Sequence, residues 1–222
     1  MKTALILGST GLIGSLLLDK LLNHSSYSKV ITIVRKPQQF NHPKLVEIIT
    51  DFNSEIKLNE IEKIDSIFSC LGTTRKKTPD LVVYHKIEVD IPNQFAKLGN
   101  QKGLTKFHYI SAVGANASSS NFYLKMKGEA EKTLENNGLK QLFLYRPSLL
   151  IGNRAEYRLT ENISAKIFPL INFFLRGNLS KYKSIEAEKV AQSLIDNDLN
   201  LTSNKVYILH YNEIIKSINT KK

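Results

Sequence analysis

Gly8-Ser9-Thr10-Gly11-Leu12-Ile13-Gly14 is the stretch of sequence that decides the fold. It follows directly on the apolar run Ala4 to Leu7 and leads into the amphipathic run Ser15 to Leu22, which is the order strand, glycine turn, helix. Glycines let the backbone turn tightly and approach a ligand, and the amides and dipole at a helix N-terminus attract a pyrophosphate. The stretch therefore predicts a bound dinucleotide, held by these seven residues.

The glycine spacing differs from the Gly-x-Gly-x-x-Gly fingerprint of dinucleotide-binding turns. Gly8, Gly11 and Gly14 recur at every third position, and Ser9 stands where the fingerprint has its second glycine. A glycine-rich turn of this kind also serves as a tight connection between a strand and a helix, without any ligand. Its place after the first strand of the chain favours the ligand-binding interpretation.

Length and composition indicate one α/β domain. The chain has 222 residues, of which 42% are hydrophobic and 23% charged, as is ordinary for a globular protein with one substantial core. We therefore predict that 1–222 form a single domain, in which 153–184 are a small variable substrate or lid region. Its apolar part, Ile163–Leu175, fits a lid, a subunit contact or a buried helix. Pro169 and Asn172 interrupt it, and no run approaches the roughly 20 apolar residues of a membrane span.

Cysteine content and charge narrow the class of protein. The one cysteine, Cys70, cannot form an intramolecular disulfide, and no group of Cys and His has the spacing of metal ligands. The N-terminus lacks the architecture of a signal peptide, so we expect a cytoplasmic protein. The formal net charge is +11, but the lysines are scattered, so we expect no nucleic-acid partner. A field of this sign attracts anionic cofactors or substrates.

Apolar, β-rich segments alternate with helical patterns, which indicates an α/β fold with a parallel sheet. Near-continuous apolar runs such as Phe143-Leu144 are expected where helices cover both faces of a strand. We predict a Rossmann fold: a doubly wound parallel sheet of about seven strands, ordered 3-2-1-4-5-6, with helices on both faces and a small C-terminal substrate lobe. The predicted strands are Thr3–Leu7, Lys29–Val34, Val46–Thr50, Ser66–Cys70, Lys106–Ser111, Gln141–Tyr145 and Lys205–Leu209.

Four helices are predicted between these strands. Gly103 and Gly138 are placed where helix C-termini need a left-handed residue, and Pro92 is expected to break the second helix. The predicted helices are Leu12–Asn23, Leu81–Gln101, Asn121–Asn137 and Ile185–Asn197.

The end of the second strand indicates which nucleotide binds. In Rossmann folds an acidic residue about 20 residues past the glycines binds the ribose hydroxyls of NAD, but Arg35 and Lys36 hold that place here. Two cations suit a 2′-phosphate, so we expect NADP(H) to be preferred and NAD(H) to be possible. The other interpretation is a pair of exposed basic residues at the start of a loop.

The ends of the third and fourth strands complete the predicted cofactor site. Asp51 and Phe52 close the third strand, where a side chain can approach the adenine. Cys70-Leu71-Gly72-Thr73 closes the fourth, beside the expected nicotinamide ribose. Cys70 itself is interpreted as a small buried hydrophobe rather than a nucleophile, because no histidine lies nearby in the sequence to activate it.

Ser111, Tyr123 and Lys127 are the candidate catalytic residues. Tyr123 and Lys127 are one helical turn apart and share a face, so the ammonium can favour the ionised phenol and lower its pKa from the usual value of about 10. Such a phenol exchanges a proton with a carbonyl oxygen while a nicotinamide exchanges hydride with the carbon. Ser111, at the carboxyl end of the preceding strand, is placed to hold the same oxygen.

The tyrosine and lysine pair by itself also fits an ordinary exposed helix face in a lysine-rich chain. Of the nine tyrosines, however, only Tyr123 has a lysine four positions on. It also follows the strand-terminal Ser111 by twelve residues. This conjunction favours an active site.

With these motifs the chain resembles the short-chain dehydrogenase/reductase superfamily, in its extended or atypical branch, where Gly-x-x-Gly-x-x-Gly replaces the commoner spacing. The resemblance runs from Lys2 to about Gly152. Three more specific stretches are similar to the Tat-interacting-protein-like oxidoreductases and their bacterial relatives. These stretches are Ser69–Arg75, Ser119–Glu129 and Tyr145–Leu150.

The resemblance implies an NADPH-binding protein in which Ser111, Tyr123 and Lys127 match the catalytic Ser, Tyr and Lys of the family. It further implies that Pro147 and its neighbours approach the nicotinamide amide, and that Arg35 contacts the 2′-phosphate. We therefore expect an NADP(H)-dependent oxidoreductase that acts on a small carbonyl or alcohol substrate.

One departure from the family pattern and two alternative functions remain open. The asparagine of the classical catalytic tetrad has no matching residue, although Asn93 lies on the corresponding helix beside Pro92. One alternative is a non-catalytic NADP(H)-binding redox sensor or interaction regulator, a role that some family members have. Another is an enzyme like the nucleotide-sugar epimerases, although these retain NAD, which Arg35 disfavours, and usually have a larger C-terminal domain.

Overall fold

A seven-stranded parallel sheet forms the centre of the protein. The structure, a computed structural model, describes residues 1–38, 41–52, 61–152, 175–201 and 203–219. The strands in these ranges are β1 Lys2–Leu7, β2 Tyr27–Val34, β3 Leu45–Ile49, β4 Ser66–Ser69, β5 Lys106–Ile110, β6 Gln141–Tyr145, β7 Leu150–Ile151, β8 Ile185–Glu186 and β9 Val206–Leu209. The sheet order is β3-β2-β1-β4-β5-β6-β9, with parallel pairing throughout, and β7 pairs separately with β8.

Helices cover both faces of this sheet. They are α1 Leu12–Asn23, α2 Leu81–His85, a π-helical turn Lys86–Asp90, α3 Ile91–Gln101, α4 Phe122–Glu135, a 3-10 helix Gly177–Tyr182, α5 Ala187–Leu199 and α6 Tyr211–Asn219. Buried residues of α1, α5 and α6 share one apolar cluster, and those of α3 and α4 share the other. The predicted Rossmann architecture and strand order are therefore confirmed, and the seventh strand pairs with β6 at the edge of the sheet.

The strand β1 shows why its sequence is a continuous apolar run. Ala4 and Ile6 face the cluster formed with α1 and α5, whereas Leu5 and Leu7 face the cluster on the opposite side. All four residues are fully buried. Because successive side chains of a strand point to opposite faces, a strand covered on both sides needs an apolar residue at every position.

Pro92 does not break the second predicted helix, so that prediction is wrong. The chain stays helical through α2, the π-helical turn and α3, and the residues at the junctions have right-handed helical dihedral angles. In the π-helical turn the amide of Ile91 donates to the carbonyl of Lys86. Pro92 follows in the first turn of α3, and the carbonyl of Glu88, four residues earlier, accepts a hydrogen bond from the Tyr109 hydroxyl instead of a helical amide.

The ends of most predicted elements differ from the observed ends by one or two residues, which is the usual uncertainty. Gly103 and Gly138, with φ of +80° and +66°, follow α3 and α4 as predicted. Most of the predicted substrate region, 153–174, and with it nearly all of Ile163–Leu175, lies outside the described residues. Within the described ranges, each helix is too short or too polar to cross a bilayer.

Candidate active site

The glycine turn lies where the carboxyl ends of β1 and β4 meet, the point at which the strand order reverses. Gly8 has a φ of +79°, and a Cβ there would lie 2.8 Å from the carbonyl oxygen of Cys70. A Cβ at Gly14 would overlap the carbonyl oxygen of Gly8. The turn can pass this close to α1 and to the end of β4 only because these positions carry no side chain.

The N-terminus of α1 has the character of an anion site. Its N-cap residue is Gly11, and in the described part of the chain no side chain caps the helix there. Thr10 and Gly11 are exposed, and the first-turn amides that follow them, from Leu12 to Gly14, precede the intrahelical hydrogen bonds of α1. Amides and dipole at such a helix end suit a pyrophosphate. The turn and helix end therefore fit a dinucleotide cofactor.

Polar contacts organise the corner between β2 and β3. Arg35 and Lys36 are exposed directly after β2, where the sequence places the cations expected to meet a 2′-phosphate. The side-chain amide of Gln38 donates to the Ser9 hydroxyl over 2.8 Å, and its main-chain amide donates to a Glu47 carboxylate oxygen over 3.2 Å. Sequence reasoning missed Gln38, which joins this corner to the glycine turn.

Phe52, which is predicted to lie near the adenine, has an unusual backbone conformation. Phe52 has a φ of +61°, which is uncommon for a residue with a Cβ. Its half-buried side chain packs against the apolar cluster formed with α3 and α4, and Asp51 before it is exposed. The left-handed backbone at Phe52 therefore sets how the chain leaves β3.

Cys70 has the surroundings of a structural residue. It is half-buried and packs against the apolar cluster formed with α1 and α5. Burial raises the pKa of its thiol to about 12, and the charge of Lys127 opposes this only in part. These observations agree with the interpretation of Cys70 as a small hydrophobe, because a thiol in this state is a poor nucleophile.

Lys127 is buried between α4 and the carboxyl end of β5, with 3% of its surface exposed. Its Nζ donates to the carbonyl oxygen of Ile110 over 2.9 Å and to the hydroxyl of Tyr109 over 3.3 Å. The same Nζ lies 2.8 Å from Oε2 of Glu88. Burial by itself lowers the pKa of the ammonium, but the Glu88 carboxylate and the neighbouring phenols outweigh it and hold that pKa well above its usual range.

Ser111 directly follows β5, and its hydroxyl has no partner in the part of the chain that the structure describes. It is 3% exposed, its amide donates to the carbonyl oxygen of Tyr145 over 2.7 Å, and its Oγ makes no hydrogen bond within the described ranges. A buried polar atom left in this state is costly, so a further hydrogen-bond partner for Oγ would be favourable. Tyr123, one turn before Lys127 on α4, is 42% exposed. The structure thus places these three residues at the carboxyl end of β5 and on the part of α4 that contacts it.

Glu88 and Tyr109 were missed by sequence reasoning. Oε1 of Glu88 accepts a hydrogen bond from the amide of Thr73 over 2.8 Å, and the Tyr109 hydroxyl donates to the main-chain carbonyl of Glu88 over 3.2 Å. A signal for Glu88 exists, because it is a lone carboxylate on an apolar helical face. The buried residues of that face are Tyr84, Glu88, Ile91 and Phe95.

Asn93 and Pro147 lie in different parts of the structure and make different contacts. The side-chain oxygen of Asn93 accepts a hydrogen bond from the side chain of Asn137 over 2.7 Å, so Asn93 faces the C-terminal end of α4 and not Lys127. Pro147 is buried, and its carbonyl oxygen accepts a hydrogen bond from the amide of Val113 over 2.9 Å. The segments after β5 and β6 are thereby joined beside Ser111.

Known proteins are similar to this chain in sequence or in fold. Residues 8–196 match a family described as NAD(P)H-binding. Protein FMP52, mitochondrial, of Debaryomyces hansenii is 30% identical, with 86% of this chain and 84% of that protein aligned. Protein HTATIP2 of Rattus norvegicus is 32% identical, with 75% of this chain and 70% of that protein aligned.

A solved structure is similar in fold. A UDP-N-acetylglucosamine 4-epimerase from Methanobrevibacter ruminantium M1, solved in complex with UDP-N-acetylmuramic acid, has a TM-score of 0.68 over 94% of this chain and 76% of that one. Its 18% identity supports a likeness of fold alone.

The predicted cytoplasmic localisation is contradicted by these relatives. The Debaryomyces hansenii protein and further fungal relatives carry the word mitochondrial in their names. A lone cysteine shows only that no intramolecular disulfide forms, and this does not distinguish one reducing compartment from another. Localisation depends on targeting segments and not on the fold.

Proposed function

The chain belongs to the NAD(P)H-binding family, as its resemblance to the atypical short-chain dehydrogenases/reductases predicts, and we propose that it is an NADP(H)-dependent oxidoreductase. Its substrate is a small carbonyl compound or alcohol, which reacts at a centre formed by Ser111, Tyr123 and Lys127. One observation carries this proposal. The ammonium of Lys127 is anchored to the carbonyl of Ile110, directly before Ser111, whose hydroxyl has no partner among the described residues, and Tyr123 precedes Lys127 by one turn of α4.

The cofactor would lie along the carboxyl edge of the sheet. The glycine turn and the first amides of α1 would hold its pyrophosphate, and Arg35 with Lys36 would hold the 2′-phosphate. The segments at Thr73 and Pro147 would border its nicotinamide end. When bound, the nicotinamide supplies or accepts a hydride.

The residues of the chain supply the proton and the electrostatic stabilisation. During reduction the Tyr123 hydroxyl gives its proton to the substrate oxygen, and during oxidation the phenolate takes the alcohol proton back. The Ser111 hydroxyl donates a hydrogen bond to the same oxygen and so gains the partner that it lacks among the described residues. The charge of Lys127 favours the negative charge that develops on the reacting oxygens.

A comparison of binding with turnover tests this function. NADPH and NADH binding are measured by calorimetry, and reduction of a panel of aldehydes and ketones is followed by nicotinamide absorbance. We expect Tyr123→Phe to bind NADPH as the wild type does and to lose turnover by at least about 100-fold, the usual contribution of an acid or base. Tyr211→Phe, on α6, is the control and is expected to retain both properties.

The same measurements separate the alternatives. Binding of NADPH by the wild type with no turnover across the panel would support a redox sensor instead of an enzyme. Binding of neither nucleotide by folded protein would contradict the proposal as a whole. An epimerase would use the same Ser111, Tyr123 and Lys127 with NAD, so a clear preference for NADPH over NADH would count against that alternative.

A further inference from the structure

Glu88 is a buried carboxylate that contacts two parts of the candidate active site. It lies on the π-helical turn, and its side chain is completely buried. Oε1 accepts a hydrogen bond from the Thr73 amide, in the loop after β4, and Oε2 lies 2.8 Å from Nζ of Lys127. One side chain thus connects the loop expected beside the nicotinamide with the lysine of the proposed catalytic centre.

The contacts around Lys127 form a closed set. The Tyr109 hydroxyl accepts a hydrogen bond from Nζ and donates one to the main-chain carbonyl of Glu88. Nζ therefore has three oxygen neighbours, with hydrogen bonds to Ile110 and Tyr109 and an ion pair with Glu88. A lysine side chain that is held from three directions has lost most of its rotamer freedom before any cofactor binds.

The charge balance around this ammonium depends on Glu88. The titratable side chains that face Lys127 are Glu88 from the π-helical turn, Tyr109 from β5, Tyr123 from α4 and Cys70 from the end of β4. Burial raises the pKa values of the Cys70 thiol and of the Tyr109 phenol, so these two groups are neutral near pH 7. Among the described residues, Glu88 is the carboxylate that offsets the cost of burying the ammonium.

We propose that Glu88 is a positioning residue, which keeps Lys127 protonated and fixed against the end of β5. The inference rests on the proposed function, because it assumes that Lys127 belongs to the catalytic centre. Asn93 does not take this role, since its side chain is bound to Asn137. In this chain a carboxylate on the π-helical turn stabilises the lysine instead.

The direct test is the titration of Lys127 in the full-length chain. Lysine is labelled with 15N, and the Nζ signal of Lys127 is assigned by its loss in Lys127→Met. In the wild type we expect the ammonium to persist to pH 10. Glu88→Gln keeps the shape of the side chain and the acceptor for the Thr73 amide, but it removes the negative charge that offsets the cost of burying the Lys127 ammonium. The signal should then titrate at least one pH unit lower than in the wild type, which is a tenfold loss of proton affinity.

Glu129→Gln is the matched control. Glu129 is a carboxylate on the same helix, α4, but it lies 3.7 Å from His85 and 3.8 Å from Lys125 instead of contacting Lys127. We expect the Lys127 signal of this variant to titrate as in the wild type. An identical Lys127 titration in the wild type and in Glu88→Gln would overturn the proposal.

Turnover gives a second readout. Relative to the wild type, Glu88→Gln should lose progressively more turnover as the pH rises from 7 into the range in which its Lys127 signal titrates, while Glu88→Asp, which keeps the charge, should recover part of that loss. A ratio to the wild type that does not change with pH would contradict the proposal. If the wild type itself has no turnover, the proposed function fails, whereas the Nζ titration still decides the pairing of Glu88 with Lys127.

A third measurement covers the case in which Glu88→Gln is too unstable for spectroscopy. If the loss of stability comes from an unpartnered ammonium, the double variant Glu88→Gln/Lys127→Met should be at least as stable to denaturant as Glu88→Gln alone. Additive losses of stability in the double variant would contradict the pairing.

Discussion

Nζ of Lys127 donates a hydrogen bond to the carbonyl oxygen of Ile110 over 2.9 Å, and this contact joins α4 to the last residue of β5. The carbonyl of a sheet residue is fixed in position, so the bond sets how α4 is placed along the carboxyl edge of the sheet. Ser111 is the next residue of the chain, and Tyr123 lies one turn earlier on α4. A single contact therefore joins the two parts of the sequence that carry the three proposed catalytic residues.

We expect Ser111→Ala to lower turnover and leave the fold intact. The Ser111 hydroxyl is buried without a partner among the described residues, so its removal relieves an unsatisfied polar atom. The free energy of unfolding should stay the same or rise by up to about 1 kcal/mol. Turnover should fall at least about tenfold, since one hydrogen bond to the reacting oxygen is lost. Urea denaturation and steady-state kinetics measure the two effects.

Ser66→Ala is the matched control for that variant. The Ser66 hydroxyl is equally buried but donates a hydrogen bond to the Asp198 carboxylate, so its removal should destabilise the fold by about 1–3 kcal/mol and spare turnover. A loss of stability in Ser111→Ala as large as that in Ser66→Ala would show that the Ser111 hydroxyl is structural.

Arg35→Glu should reverse the preference for the phosphorylated cofactor. The guanidinium is exposed at the end of β2, where it can meet a 2′-phosphate that NADH lacks. The ratio of NADPH to NADH affinity should fall at least about tenfold, because a charge-assisted contact is replaced by repulsion. Lys29→Glu, at the other end of the same strand, should leave the ratio unchanged. An unchanged ratio in Arg35→Glu would show that the arginine is only a surface cation.

Gly14→Ala should destabilise the protein and weaken NADPH binding. The added Cβ would overlap the carbonyl oxygen of Gly8, a main-chain atom that cannot move independently. We expect a loss of about 1–3 kcal/mol, as for other overpacked positions. At Gly72 the nearest atom to an added Cβ is 3.8 Å away, in the Glu88 side chain. Gly72→Ala should therefore change the free energy of unfolding by less than about 0.5 kcal/mol. Equal losses of stability in Gly14→Ala and Gly72→Ala would contradict the role of the close contact at Gly14.

A buried polar network lies on the opposite, amino-terminal side of the sheet. The Asp198 carboxylate at the end of α5 accepts hydrogen bonds from Tyr27 and Ser66 and pairs with Lys2. His108, stacked between two phenylalanine rings, lies with Nε2 3.4 Å from the same carboxylate. Burial raises the pKa of Asp198, but the contacts with His108 and Lys2 outweigh it and hold that pKa well below its usual range.

This network predicts two steps in the pH dependence of stability. Burial also lowers the pKa of His108, so the stability due to the neutral ring is complete above about pH 6.5 and is lost as the pH falls below that value. The stability due to the Asp198 carboxylate is present above about pH 4 and is lost below it. Urea denaturation between pH 3 and pH 8 measures both steps.

Asp198→Asn tests the second step. At pH 7 it should cost about 3–5 kcal/mol, since Lys2 and its neighbours lose a buried counter-charge. Its stability should also depend less on pH below about pH 4 than that of the wild type. Asp19→Asn, on the exposed side of α1, is the control and should lose less than about 0.5 kcal/mol. Equal slopes in the wild type and Asp198→Asn would contradict the role of Asp198.

The alternation of strands and helices could be predicted because it follows from local patterns. The apolar run of β1, the glycine turn and the amphipathic α1 each have a period or a residue type that limits the backbone to few conformations. The spacing of Tyr123 and Lys127 also needed only helical geometry. Pro92 misled the prediction because a proline is compatible with the first turn of a helix, and the preceding π-helical turn is not visible in a periodicity.

The amino-acid sequence by itself determined the order of the strands and helices, the glycine turn and the one-turn spacing of the proposed catalytic pair, since these depend on neighbours within a few residues. Only the tertiary structure decided that Glu88 pairs with Lys127, that the Ser111 hydroxyl lacks a partner among the described residues, and that Lys2 meets Asp198. Such contacts join distant parts of the chain. They depend on how helices pack against the sheet, and burial then makes each charge dependent on the partner that packing provides.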